Sequence, residues 1–223
     1  MQTDHAQPAM IHQLLGWFDN HKKQTVQGAT AVVLIGVVVA YLFWNQGQKE
    51  DNANRELSKL MNSQANADGF LRLVGQYPNT IAGGNALLMA GRILFLTGRY
   101  PEAQSQFQKF RQNYRTSPFA DAASLGVAAC LDAMGKMDDA IGAYESLIQS
   151  HPHEMVVIQC QFALARLYES QNKLDKAVGY YDVVAREDGA GTFGAEAGIR
   201  AHELLALHPT LAKAADAPGN LQP

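Results

Sequence analysis

Apolar positions recur at helical spacing along most of this chain, and in its second half the spacing itself repeats. An alanine, an aromatic residue four positions on and a large apolar residue three further appear as Ala103, Phe107 and Phe110. The same set returns as Ala140, Tyr144 and Leu147, and again as Ala177, Tyr181 and Val184, at a period of 37 residues. Offsets of four and three place all members of a set on one helix face. Each copy therefore predicts an amphipathic helix. A partner helix precedes each one, with small residues at mid-length: Ala90 and Gly91, Ala128 and Ala129, Ala163 and Ala165. Gly98, Gly135 and Asn172 stand between partners, and these residue types tolerate the left-handed conformation that ends a helix. Pro101 suits a first helical turn, and Asp138 and Asp175 read as N-caps. One such hairpin cannot bury its apolar face alone, so copies stack. The pattern predicts an all-α solenoid of helical hairpins.

A second pattern lies upstream. Ala29 to Trp44 is apolar and carries no charge. About 20 residues at 1.5 Å each cover the ~30 Å core of a bilayer, so 25–44 predicts a transmembrane helix. Its Val, Leu, Ile and Phe residues, including Val32, Leu34, Ile35, Val38 and Leu42, favour insertion by roughly 3–5 kcal/mol in sum. Trp44 adds an interfacial ring at the exit. A cleaved signal peptide competes with this reading, because Val38-Val-Ala40 resembles a small-residue cleavage site. Against cleavage, the leading segment is long and Tyr41 to Trp44 continues the apolar run. The short N-terminal flank holds Lys22 and Lys23. Short flanks decide orientation while long domains cross largely regardless of charge, which leaves the N-terminus cytoplasmic and the repeats periplasmic in a Gram-negative host.

The remaining segments follow from the same reading. Within 1–24, Met10, Ile11, Leu14, Leu15 and Phe18 predict a short amphipathic helix on the membrane face, with Trp17 at the interface. Residues 45–78 are expected to hold a juxtamembrane helix from about Gln48 to Ser63, either separate from the membrane span or continuous with it, a break over Gln64 to Gly69, and a short helix ending near Tyr77-Pro78, together a degenerate first hairpin. The repeats and a capping helix occupy 79–210, the first full hairpin beginning near Gly84. The capping helix runs from Thr192 to about His208, with Ala195, Ile199, Ala201, Leu204 and Leu205 covering the last hairpin. Residues 211–223, rich in Ala and Pro, read as a disordered tail.

Composition narrows the functional classes. With 18 basic and 21 acidic side chains, the chain lacks the concentrated basic surface that nucleic acid requires. His151-Pro-His153 is a close histidine pair without enough ligands beside it for a metal site. Gly189-Ala-Gly191 lacks the lysine of a phosphate loop and reads as a hinge. No motif for nucleophilic or metal-dependent catalysis occurs. The expectation is a non-enzymatic protein without metal or cofactor. Cys130 and Cys160 fall about two helical turns apart in repeat position, roughly 10 Å of axial offset. This favours two buried free thiols over a bridge, although an oxidising compartment would permit one.

The repeat pattern resembles the tetratricopeptide repeat. The family's recurrent positions match Gly91, Leu94, Gly98, Tyr100, Ala103, Phe107 and Phe110 in the first copy. They match Ala128, Leu131, Gly135, Ala140, Tyr144, Leu147 and Pro152 in the second, and Ala165, Tyr168, Ala177, Tyr181 and Val184 in the third. The third copy departs from the pattern with Asn172 for the turn glycine and Gly189 for the closing proline. The period exceeds the family's usual one by three residues, which implies longer joints. Such domains bind peptides along the face built by their first helices. By repeat position that face holds Asn85, Leu88, Arg92, Phe95 and Leu96, then Ala122, Leu125, Ala129 and Asp132, then Gln159, Phe162, Arg166 and Glu169. Phe95 and Phe162 would receive apolar side chains, and Arg92 and Arg166 would hold carbonyls or a carboxylate. The alternative is that the two phenylalanines belong to the core and the charges are merely solvated.

The whole layout is also similar to the YfgM family, an ancillary subunit of the Sec translocon. The matching marks are Leu15-Gly-Trp17-Phe18, the span from Gly28, and Phe43-Trp44-Asn45. The resemblance implies a periplasmic repeat domain beside the SecYEG channel, partnered with a membrane-anchored periplasmic chaperone of the prolyl-isomerase-like type. An assembly factor for cytochrome maturation, cell division or outer-membrane protein insertion is the alternative of a different class.

Overall fold

Residues 22–150, 155–189 and 191–211 are described by a computed structural model of the chain. Among them the regular structure is entirely helical. The helices are α1 (Lys22–Asn62), α2 (Ala67–Gln76), α3 (Ile81–Leu96), α4 (Tyr100–Asn113), α5 (Ala120–Ala133), α6 (Met137–Ser150), α7 (Met155–Ser170), α8 (Leu174–Glu187) and α9 (Thr192–Leu207). The chain divides into two units, Met1–Asn52 and Ala53–Pro223. The expected amphipathic segment before Lys22 and the pair His151 and His153 lie outside the described residues.

The described part of the first unit is the N-terminal length of α1. Of the described helices, this one is long and apolar enough to cross a membrane. Val32, Leu34, Ile35, Val38, Leu42 and Trp44 are each between 56 and 69 % exposed. Tyr41 and Trp44 sit with ring centroids 6.4 Å apart. The span and the juxtamembrane helix form one continuous helix of 41 residues.

The second unit is a stack of hairpins. Its two apolar clusters meet at α5, which contributes Ala123, Val127 and Cys130 to one and Ala128 to the other. The first cluster gathers Ala53 and Leu57 of α1 with residues of α2 to α5. The second runs from α5 to α9. All nine residues of the alanine–aromatic–apolar stripes are buried. Beyond consecutive helices, α3 touches α5, α5 touches α7, and α7 touches α9. No such contact joins α4, α6 and α8 among the described elements. First helices therefore crowd together on the inner side of the stack.

The turns repeat one local geometry. Gly98, Gly135 and Asn172 have φ of 77°, 70° and 57°. After each, a backbone N–H reaches back five residues: Arg99 to Leu94 O at 2.8 Å, Lys136 to Leu131 O at 3.0 Å, and Lys173 to Tyr168 O at 2.9 Å. This is a Schellman closure, which satisfies carbonyls left open at a helix end. The donor residue's own carbonyl then accepts the first bond of the next helix, from Ala103, Ala140 or Ala177 N–H. Two consequences correct the sequence reading. Asp138 and Asp175 lie inside the first turns of α6 and α8 and are not their caps. There they still favour the helix dipole. The earlier break, where Gln64 has φ 50°, is narrower than expected, since Asn66 caps α2 by accepting from Gly69 N–H at 3.1 Å. We expect Gly135→Ala to lower stability by about 1–2 kcal/mol, the cost of a Cβ in the left-handed region, and Asn172→Gly to leave stability unchanged or slightly raised. Urea denaturation followed by circular dichroism distinguishes the two.

Three boundaries also move. The first full hairpin starts at Ile81, because Thr80 caps α3 by accepting from Gly83 N–H at 2.9 Å. In α9 the buried face is Gly194, Ala197, Ala201 and Leu204, whereas Ala195 and Ile199 are exposed. Gly191 caps the helix, and the Asp188 carboxylate accepts from Gly194 N–H at 2.8 Å. Leu211, assigned from sequence to the tail, packs on the second cluster.

Candidate interaction face

Small residues on the first helices determine how closely the stack packs. Phe107 of α4 lies between Gly91 of α3 and Gly126 of α5. A Cβ at either glycine would come within 2.8 Å of its ring. Ala128 and Ala165 are the corresponding small residues in the next two hairpins, and both are fully buried. These packing constraints hold the first helices together and leave their other sides open.

Of the residues expected on that open side, Arg92 and Arg166 are exposed. Asn85, Leu88, Leu125, Ala129, Asp132 and Gln159 are half-buried, and Ala122 and Leu96 are exposed. Phe95 is half-buried, edge-on to Tyr100 at 5.3 Å between centroids. Phe162 belongs to the core at 8 % exposure, contrary to its assignment to the face. Its ring meets Tyr181 at 5.8 Å and Phe193 at 5.3 Å. The cause is α9, which brings Phe193 over a position that is only half-buried, as Leu88 and Leu125, in the two earlier hairpins.

Glu169 is engaged as well. It accepts from Tyr181 Oη at 2.9 Å, from Arg200 Nε at 3.2 Å and from Arg200 Nη2 at 2.7 Å. Arg200 Nη1 also donates to Glu203 at 2.9 Å. This network fastens α9 to α7 and α8. Its Arg200–Glu203 step is visible in sequence as an i, i+3 pair, but the Glu169–Arg200 contact spans 31 residues and left no local trace. Beside it lies an open groove of about 880 Å³, lined by Arg166, Ser170, Thr192, Ala195, Ile199 and Arg200 among others. Burial pushes the Asp132 carboxyl up, and Arg166 nearby opposes the shift.

Burial favours the neutral forms of the core thiols and of Tyr168. Cys130 and Cys160 are free and fully buried, and burial pushes their thiols up to about 11 and about 12. A thiol is nucleophilic only as thiolate, so neither is reactive near neutrality. Tyr168 is pushed up to about 12, first by burial and then by its 3.0 Å hydrogen bond to Glu145. No cluster of three His, Cys, Asp or Glu residues suited to a metal occurs among the described residues.

Comparison with known proteins agrees with this architecture. Two tetratricopeptide-repeat family models match, over residues 88–154 and 160–190. No curated protein matches the sequence. The fold is similar to the crystal structure of MamA protein, with TM-score 0.55 and 19 % identity over 79 % of this chain and 100 % of that one. It is also similar to a putative kinesin light chain with nearly identical repeats from Podosopora anserina, with TM-score 0.52 and 13 % identity over 76 % of this chain and 90 % of that one. A third similar structure is BtubC from P. vanneervenii, with TM-score 0.50 and 17 % identity over 73 % and 66 % of the two chains. At these identities the likeness concerns fold alone. With these two family matches, and with the turn and stripe geometry recurring at each hairpin, residues 88–154 and 160–190 carry tetratricopeptide repeats.

Proposed function

We propose that this protein is a membrane-anchored scaffold without catalytic chemistry. Its repeat unit faces the periplasm, binds proteins along the first-helix face, and links periplasmic chaperones to the SecYEG translocon. The observation that carries the reading is that one chain holds both an apolar, exposed helical stretch without charge over 26–44 and a stack of hairpins whose first helices expose Arg92 and Arg166. Tethering raises local concentration at the membrane, so weak contacts at Arg92, Leu125 and Arg166 suffice. The Sec assignment rests on the sequence marks at Leu15 to Phe18 and Phe43 to Asn45. The orientation rests on Lys22 and Lys23 in the short flank.

Purification of the full chain from membranes in mild detergent tests the partner. The expected companions are SecY, SecE, SecG and an anchored chaperone of the prolyl-isomerase-like type. Recovery instead of a cytochrome-maturation, division or outer-membrane assembly complex replaces the Sec reading with the assembly-factor one. A periplasm-dependent reporter fused after Gln222 tests sidedness.

A further inference from the structure

The last helix continues the row of first helices. It begins at Thr192, one 37-residue period after Met155 opens α7. It touches α7 as well as α8, just as α5 touches α3 and α7 touches α5. In this register Glu196, Ile199 and Glu203 stand where α7 has Gln159, Phe162 and Arg166. The structure turns them to one side. All three line the open groove of about 880 Å³ that Arg166, Glu169 and Arg200 also line. The inner face therefore extends one helix beyond Glu169, and α9 supplies its last wall.

Some of the groove's charges are engaged and others are open. Arg200 donates from Nε and Nη2 to Glu169 and from Nη1 to Glu203, and Glu169 also accepts from Tyr181. Arg166 on α7 and Glu196 on α9 are both exposed, and among the described residues neither makes an ion pair. Ile199 is 64 % exposed, although its repeat counterpart Phe162 is a core residue. Phe193 of the following helix covers Phe162, and among the described residues Ile199 has no such cover. Packing of α9 does not need Ile199, since Gly194, Ala197, Ala201 and Leu204 form its buried face. The groove thus offers an open cation, an uncovered aliphatic side chain and an open carboxylate.

We propose that the groove between α7 and α9 holds an extended segment of a partner protein that presents an acid, a large apolar side chain and a base in alternation. The acid pairs with Arg166, the apolar side chain covers Ile199, and the base pairs with Glu196. In an extended chain every second side chain lies on one face, and a five-residue segment spans about 13 Å between its outer members. Neighbouring packed helices lie ~8–10 Å apart, so a segment of this length reaches from one wall to the other. The three side chains present the same pattern whichever way the segment runs. The apolar contact supplies affinity, and the two charges supply selection among segments. This inference deepens the inner-face binding proposed above and rests on it.

Fluorescence anisotropy of labelled peptides against the full chain in detergent micelles tests this. The probes share the core Asp-Ser-Leu-Ser-Lys, with versions that carry two Asp, two Lys, or Ser in place of Leu. The mixed-charge peptide is expected to bind at least about threefold more tightly than either like-charged one, in keeping with the small free energy of an exposed ion pair. It should bind about fivefold more tightly than the Ser version. Arg166→Glu is expected to make the two-Lys peptide the preferred ligand, and Glu196→Arg the two-Asp peptide. Ile199→Ser should weaken all Leu-containing peptides by about fivefold. The three side chains are exposed, so these variants keep the fold, which far-UV circular dichroism checks. An unchanged order of preference in both charge variants overturns the inference, as does failure of every peptide to bind. Binding that ignores these variants and is lost in Arg92→Glu overturns it while the inner-face reading stands. If Ile199→Ser splits a dimer of the full chain in sedimentation and leaves peptide affinity unchanged, a second copy fills the groove and the inference falls.

Discussion

Tyr181→Ala is expected to lower the stability of the second unit by about 3–5 kcal/mol, the cost of emptying a large aromatic site in a packed core. Tyr181 is 1 % exposed, packs edge-on to Phe162, and donates from Oη to Glu169. The alanine variant loses all three relations at once. Tyr181→Phe keeps the ring and loses only the hydrogen bond, for about 1–2 kcal/mol, because Arg200 still pairs with Glu169. The comparison separates packing from polar contribution at one site. It also tests cooperativity. Repeat stacks are held by nearest-neighbour interfaces, and Tyr181 belongs to the cluster running from α5 to α9. Hydrogen exchange in Tyr181→Ala should therefore accelerate in α7, α8 and α9, while α3 and α4 keep their protection. Uniform loss of protection would show that the two clusters unfold as one.

Gly126→Ala is expected to cost about 1–3 kcal/mol, the usual range for overpacking a core. The added methyl would meet the Phe107 ring at 2.8 Å, and that ring cannot withdraw because Gly91 holds its other side equally closely. Relieving the clash from the other side makes the prediction specific. Phe107→Leu alone opens a void and destabilises. In the Gly126→Ala background it relieves the overlap, so the double variant should be more stable than the sum of the two single effects by about 1 kcal/mol or more. Denaturant midpoints of the four proteins measure this coupling. Strict additivity would mean that the first and second hairpins are not spaced by Phe107.

Much of this architecture was legible because hairpin stacking is written locally. The turn residues at 98, 135 and 172, the stripe headed by Ala103, Ala140 and Ala177, and the small residues at 91, 128 and 165 all act within one hairpin or against its neighbour. Positions set by contacts between distant elements were not legible. Phe162 looks equivalent to Leu88 and Leu125, yet Phe193 covers it. Glu169 looks like a free groove carboxylate, yet Arg200 claims it from 31 residues away. The caps of α6 and α8 lie two residues before the aspartates that the sequence suggests, at Lys136 and Lys173, since the Schellman turn hands its own carbonyl to the next helix and leaves no need for a side-chain cap. Ile199 lies on the opposite side of α9 from Ala197 and Ala201, so the face kept by Ala201 and Leu204 continues toward the N-terminus through Ala197 and Gly194 and leaves Ile199 exposed.

The central claim is that this protein acts by binding other proteins along the inner face of its stack while held to a membrane. Site-specific photocrosslinking in intact membranes tests it most directly. A photoreactive residue is placed at Arg92 or Leu125 on the inner face, and at Gln108 or Gln149 on the second helices. Adducts with discrete envelope proteins are expected from 92 and 125, abolished when the segment 25–44 is deleted and the chain leaves the membrane. Adducts confined to 108 and 149, or unchanged in the deleted form, would contradict the account.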